Sequence, residues 1–144
     1  MGEEGVEVRG RWAGPSGGQG GGMQDGYKKL IAYQRAMEMV ESIYGASKAF
    51  PKDELYGLTS QLRRAAVSVP SNIAEGHGKS TTGEYLQALG HARGSLYEVE
   101  TQMTLAMRLG YLAPEVHKHH DAQITELGRV LEGLHRSIRQ KRAS

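Results

Sequence analysis

The sequence predicts an all-α chain folded as an antiparallel up-down-up-down four-helix bundle, and three observations carry that prediction. Four segments place apolar residues at alternating steps of three and four, which keeps them on one face of a helix. The connections between them hold proline or glycine and are short enough to make consecutive helices antiparallel neighbours. Aromatic residues are only 6% of the chain and apolar residues 38%, so Leu, Val, Ile, Met and Ala must fill the core. That composition suits helix on helix better than a β-sandwich, and 144 residues fit one domain.

Residues 1–26 precede the first periodic segment and read as a disordered tail. Ten of the chain's twenty glycines lie there and Trp12 is its only large apolar residue, too little to offset the backbone entropy of ordering it. Met23 lies just ahead of the first periodic segment and reads as an alternative start.

The first helix is expected over about 27–48, with Leu30, Tyr33, Met37, Val40 and Tyr44 on one face. Phe50-Pro51 ends it, because the residue before proline is pushed out of the α region, and Pro51 could also open the next helix. The second helix is expected over about 53–75, on the stripe Leu58, Leu62, Ala65, Val69 and Ile73. Val67 and Ala74 make its other side apolar too, and a third stripe holds Gln61, Arg64, Ser68, Asn72 and Glu75. Pro70 removes one backbone hydrogen bond and is expected to kink or divide this helix near 66–69.

Gly76-His77-Gly78 reads as the break. Thr81 followed by Glu84 forms a capping-box pattern that starts a third helix at Thr82, expected over about 82–109. Leu89, Ala92, Leu96, Val99, Met103 and Ala106 are its core face. Gly90 and Gly94 each weaken it by nearly ~1 kcal/mol against alanine, and close approach of another backbone is the expected compensation. Gly110 suits the left-handed position past the helix end. Pro114 opens the fourth helix, over about 114–141, with Val116, His120, Ile124, Leu127, Leu131, Leu134 and Ile138 facing inward.

Several function classes are excluded or receive no support. There is no cysteine, hence no disulfide, thiolate metal site or Cys nucleophile. No apolar run approaches the roughly 20 residues of a bilayer span and no secretory apolar core is present, so the expected location is cytoplasmic. Residues 27–144 carry sixteen Lys and Arg against twelve Asp and Glu, a mild basic bias. No catalytic residue is identified: Ser68, Ser71, Ser95, His77 and His91 show no spacing that makes a triad, and Glu98 and Glu100 point to different faces. Gly76-His77-Gly78-Lys79-Ser80 lacks the upstream glycine and strand of a phosphate loop. His117, His119, His120 and Asp121 read as the solvated first turn of a helix, with His120 at the bundle end. Only one Glu-x-x-His pair occurs, Glu132 with His135, and it lies beside the core stripe, so no metal or other cofactor is expected.

Two surfaces remain. Arg63, Arg64, Lys79, Arg93, Arg108, Arg136, Arg139, Lys141 and Arg142 are candidates for contact with nucleic-acid phosphates. Gln61, Arg64, Ser68, Asn72, Glu75, Gly90, Gly94 and Tyr97 are candidates for an interface between copies of the chain, since the second helix has more than one face that wants burial.

The stretch YGLTSQLRRAAVSVPSNIAEGHGKS, residues 56–80, resembles the four helix bundle protein family, also called the intervening-sequence protein family of large-subunit ribosomal RNA genes. Further blocks carry the same resemblance: Tyr33-Gln34 with Ala36, Phe50-Pro51, Glu84-Tyr85, residues 92–96, residues 98–102 and residues 109–112. Where members usually show Val-Trp in the first helix, this chain has Ala32-Tyr33. The resemblance implies a homopentameric ring of four-helix bundles without a known activity. It also implies a distant relationship to the accessory variability determinant of diversity-generating retroelements, a basic pentamer that binds a reverse transcriptase and nucleic acid. The expected function is a non-enzymatic oligomeric module contacting RNA or a nucleoprotein partner through ring arginines. The alternative is a protein-only scaffold. No membrane or small-molecule partner is expected.

Overall fold

The computed structural model describes residues 6–8, 11–13 and 26–143. Among them are four α-helices: α1 (Ile31–Ser47), α2 (Leu58–His77), α3 (Thr82–Arg108) and α4 (Pro114–Ala143). Helix α2 packs between α1 and α3, and α4 packs against both α3 and α1, so the four helices enclose one core. Ahead of them, β1 (Val6–Val8) and β2 (Arg11–Ala13) pair antiparallel, with Val6 opposite Ala13 and Val8 opposite Arg11. These six residues depart from the disorder expected of residues 1–26; Val and Trp are types that favour extended backbone. The rest of that segment, up to residue 25, lies outside the described residues.

The expected face of the first helix is off by a residue. The buried set of α1 is Ala32, Ala36, Met39, Ile43 and Ser47. Tyr33 and Val40 pack at its margin, and Tyr44 is 40% exposed. The helix is apolar over more than half its circumference, so two adjoining stripes fit the same spacing. Tyrosine, whose hydroxyl is costly to bury without a partner, takes the rim, and small alanines take the close approach. Its start also differs: Gly26–Lys29 forms a short 3₁₀ turn, and Leu30 is extended before α1 begins.

Helix α2 buries Leu58, Leu62, Ala65, Val69 and Ile73, the expected stripe. It starts later than expected, because Lys52–Glu54 forms a separate 3₁₀ turn. The Glu54 carboxylate accepts from the Leu58 N–H at 3.0 Å, serving a donor that the first helical turn leaves free. The helix continues through Pro70, so it is not divided at 66–69, and it ends at His77 with Gly78 as its cap, inside the expected break and two residues past the expected end at 75. Pro70 is itself buried, and packing of that face holds the helix together where one backbone bond is missing.

Helix α3 starts at Thr82, with Thr81 as its cap: the Glu84 N–H donates to the Thr81 hydroxyl at 3.1 Å, and that hydroxyl donates to the Glu84 carboxylate at 3.1 Å. Its buried face is Ala88, Leu89, Ala92, Leu96, Val99, Met103 and Ala106. The end is a Schellman turn, with the Gly110 N–H on the Met107 carbonyl and the Tyr111 N–H on the Ala106 carbonyl. Gly110 takes φ +83°, which an L side chain rarely adopts. Helix α4 buries His120, Ile124, Leu127 and Leu131, while Leu134 and Ile138 pack partly on the core. Val116 is 41% exposed, contrary to expectation, because the first turn of α4 projects past the core.

Two ends of the bundle follow from these contacts. At one, the Tyr111 hydroxyl donates to Glu54 at 2.8 Å, its ring meets Phe50, and Arg63 donates to the Ser47 hydroxyl at 2.8 Å. The α1–α2 and α3–α4 connections therefore meet there. At the other end, Gly26 lies against His77, and Gly83 lies beside the Arg142 guanidinium. The start of α1, the α2–α3 connection and the end of α4 meet at this second end.

Candidate assembly face and cationic residues

Helices α2 and α3 share the most extensive contact of any helix pair, and small residues line their crossing. A Cβ on Gly76 would stand 2.7 Å from the Ala88 Cβ and 3.0 Å from the Tyr85 ring. Farther along the seam the hydroxyls of Ser68 and Ser95 are hydrogen-bonded to each other, and Ser68 also donates to the Ala65 carbonyl at 2.9 Å. The Asn72 amide donates to the Ser68 carbonyl at 2.8 Å. Ser68 and Asn72, expected at a subunit interface, are thus half-buried and already bonded within the chain. Gln61, Arg64 and Glu75 of the same stripe are exposed.

With Ser95 turned to α2 and Thr104 within 3.2 Å of His117 on α4, the remaining side of α3 faces away from both neighbours. At 100° per residue this outward side carries Gly90, Gly94, Tyr97, Thr101, Leu105 and Arg108. Its charges over five turns are Arg108 and the exposed Glu98, which lies beside Leu105 around the helix. Tyr97 is 60% exposed and Leu105 is 44% exposed. Among the described residues, a Cβ at Gly90 or Gly94 would meet nothing within 4 Å, so none of them supplies the close approach expected there. The Thr101 hydroxyl donates to the Tyr97 carbonyl at 2.9 Å. An ordinary solvated face would alternate charges, as α1 does with Arg35, Glu38 and Glu41.

The candidate cations do not form one surface. Arg63 is held in the α1–α2 seam by Ser47 and by the Tyr44 ring, 4.7 Å below its guanidinium. Arg93 is half-buried in a shallow groove between α3 and α4, with Glu100 and Glu132 on the same walls. Arg64 is exposed on α2, and Arg108 lies at the connection end that holds Tyr111. Lys79, Arg136, Arg139, Lys141 and Arg142 are exposed and belong to the opposite end.

A family model described as the 23S rRNA-intervening sequence protein matches residues 28–133. The chain belongs to this family. Among solved structures, a protein of unknown function from the S23 ribosomal protein family of Bacteroides thetaiotaomicron VPI-5482 is similar, with a TM-score of 0.68 and 19% identity. The alignment covers 74% of this chain and 96% of that one, and it shows a common fold. A search of curated proteins found no match.

The family's ribosomal label attaches no chemistry to particular side chains, and the histidines show none that is assembled. His120 is 7% exposed at the start of α4, and burial, aided by the neighbouring His119, pulls its pKa below the ordinary histidine value. Its Nδ1 finds no hydrogen-bond partner among the described residues. His135 is shifted in the same direction, first by burial and then by Arg139 and Arg93. Among the described residues, His, Asp and Glu nowhere gather in a group of three or more that could hold a metal. None of the described helices is long and apolar enough to cross a membrane.

Sequence reasoning missed the Glu54–Tyr111 pair. Hydrogen bonds from Leu58 and Tyr111 hold the Glu54 carboxyl below its usual range, and the same bond raises the Tyr111 phenol. The two residues are 57 apart, so no local pattern could have linked them.

Proposed function

We propose that this chain is a non-enzymatic, cytoplasmic structural module: an up-down-up-down bundle that assembles with its own copies through the outward face of α3. The observation that carries the proposal is that face. Burial would remove Tyr97 and Leu105 from water, with Glu98 and Arg108 as the charges that an interface there must leave at its rim. Gly90 and Gly94 would let a neighbouring helix backbone come close, which offsets the helix stability they give up. Gln61, Arg64 and Glu75, exposed along the neighbouring α2, form a polar rim of the kind that surrounds an apolar interface centre. A homopentameric ring is the closed form that the family resemblance implies, and cyclic assembly needs only one such contact repeated.

Light scattering on a sizing column tests the proposal. The wild type is expected at about five times the 15.7 kDa chain mass, and Gly94→Glu is expected to shift it to the monomer with its helical circular dichroism intact. A monomeric wild type at micromolar concentration, or a fully assembled Gly94→Glu, would refute it. A protein-only scaffold without nucleic-acid contact is the competing form of this reading. Arg63 favours it, since Ser47 and Tyr44 already occupy its guanidinium.

A further inference from the structure

The fold sorts charge in a way that chain order hides. The start of α1, the α2–α3 connection and the end of α4 come together at one end, as the Gly26–His77 and Gly83–Arg142 contacts show. That end collects Lys28 and Lys29 before α1, Lys79 in the connection, and the four cations of residues 136–142. Against these seven stand two carboxylates, Glu75 and Glu84, for a net charge of +5. The whole stretch 26–143 carries sixteen cations against twelve carboxylates, or +4. The basic bias of the bundle therefore resides entirely at this pole, and the remainder is slightly acidic. Lys29, Lys79, Arg136, Arg139 and Arg142 are all exposed there.

The opposite pole differs in kind. Tyr44, Leu55, Tyr56, Leu105, Leu109 and Val116, six of the large apolar residues that stand exposed, lie at or near it. Tyr56 is 93% exposed. A surface that binds anionic lipid would combine basic residues with exposed apolar anchors, and here the two are at opposite ends. The aromatic rings near the cationic pole are also engaged edge-on: Tyr27 on Tyr33 with centroids 4.9 Å apart, and Tyr85 on His77 at 5.9 Å. They offer no platform for stacking the bases of a single strand.

We infer that the cationic pole is a docking surface for the phosphate backbone of a double-stranded nucleic acid. Cations spread across a bundle end, without stacking rings, suit contact with phosphates along a duplex rather than readout of bases. Every copy in a cyclic ring turns the same pole to the same side, so on the assembly reading above the ring would present one continuous basic rim. The surface of each subunit exists without the ring, and the two ideas can fail separately.

Fluorescence anisotropy with a labelled 20-base-pair RNA duplex, its DNA counterpart and a single strand, over 50–300 mM salt, tests the inference. The duplexes are expected to bind in preference to the single strand, with affinity falling steeply as salt rises. Each phosphate contact adds about 0.9 to the log–log salt slope. The double variant Lys79→Gln/Arg139→Gln is therefore expected to lower that slope by about 1.8 per engaged subunit, with at least a tenfold weaker Kd at the lowest salt and an unchanged melt. Lys48→Gln/Lys52→Gln removes the same charge at the apolar pole and is expected to leave binding within twofold. RNA favoured over DNA would identify A-form geometry as the target, and equal binding would identify the backbone charge alone; both support the pole. Equal losses from the two double variants, preference for the single strand, no duplex binding at 50 mM salt, or binding only to phosphatidylserine vesicles would each overturn it. The same comparison in the Gly94→Glu background tests the pole of the single subunit apart from assembly, and a monomeric wild type tests it directly.

Discussion

Two glycines of the same helix pair should respond to alanine with opposite signs. In Gly76→Ala the new Cβ would stand 2.7 Å from the Ala88 Cβ, and ordinary contact begins at 3.4 Å. Helices α2 and α3 would have to separate by about 0.7 Å at that crossing, since neither obstructing group is the end of a flexible side chain. Overpacking of this kind costs about 1–3 kcal/mol, and the better helix propensity of alanine returns about 1 kcal/mol. Because the Tyr85 ring and carbonyl also obstruct the position, the upper half of that range applies, and the net loss is about 1–2 kcal/mol. That corresponds to a fall in Tm of roughly 4–8 °C for a domain of this size. Gly94→Ala meets nothing within 4 Å and should gain about 1 kcal/mol within the subunit, while loosening any assembly that uses the α3 face. Thermal and urea melts at one fixed protomer concentration measure the first effect, and a dilution series by light scattering measures the second. The double variant Gly76→Ala/Ala88→Gly should recover part of the loss, with a coupling of at least about 1 kcal/mol. A Gly76→Ala protein as stable as the wild type, or additive behaviour in the double variant, would refute the close crossing.

Acid should destabilise the bundle through His120. Burial lowers its folded pKa below the ordinary 6.5, so the unfolded chain takes up the proton first. Stability is then unaffected well above pH 6.5 and is lost as pH falls below it towards the folded pKa; His120→Gln should flatten that part of a urea-midpoint profile, leaving the slope due to His135. Glu54 acts at lower pH: its carboxyl is held below its usual 4.5, so its contribution is present above that value and is lost as pH falls through the folded pKa. Tyr111→Phe removes one of the two bonds to the carboxylate and should shrink the loss of stability as pH falls below 4.5. Thr81→Ala removes the cap of α3 and should cost about 1 kcal/mol, read from the same melts.

Local pattern was most informative where one apolar stripe had no rival. The cores of α2 and α3 and the Thr81 cap follow from residue spacing, because hydrophobic period and capping chemistry act within a few residues. Helix α1 shows the opposite case: Ala32-Tyr33 and Met39-Val40 place two apolar stripes side by side, and only the neighbouring helices select between them. Pro70 shows another limit. Its lost hydrogen bond is a local cost, but the packing of Val69, Pro70 and Ile73 that keeps α2 continuous is not local. The candidate surfaces divide in the same way. Gly90 and Gly94, two glycines inside a helix, marked α3 in the sequence as a surface for another backbone, whereas the engagement of Arg63 by Ser47 and Tyr44 was not visible there.

The sequence by itself determined the all-α class, the number of helices, the inward faces of α2 and α3, and membership of the intervening-sequence protein family. Those properties depend on periodicity, helix-end chemistry and ordered motifs, all carried by neighbouring residues. Only the tertiary structure decided that Ser68 is satisfied by Ser95, that Glu54 meets Tyr111, and that cations from three separate segments form one pole. Each depends on which helix ends meet in space, and the alignment of helices sets that, since charges far apart along the chain share a field only when the fold brings them within a few screening lengths.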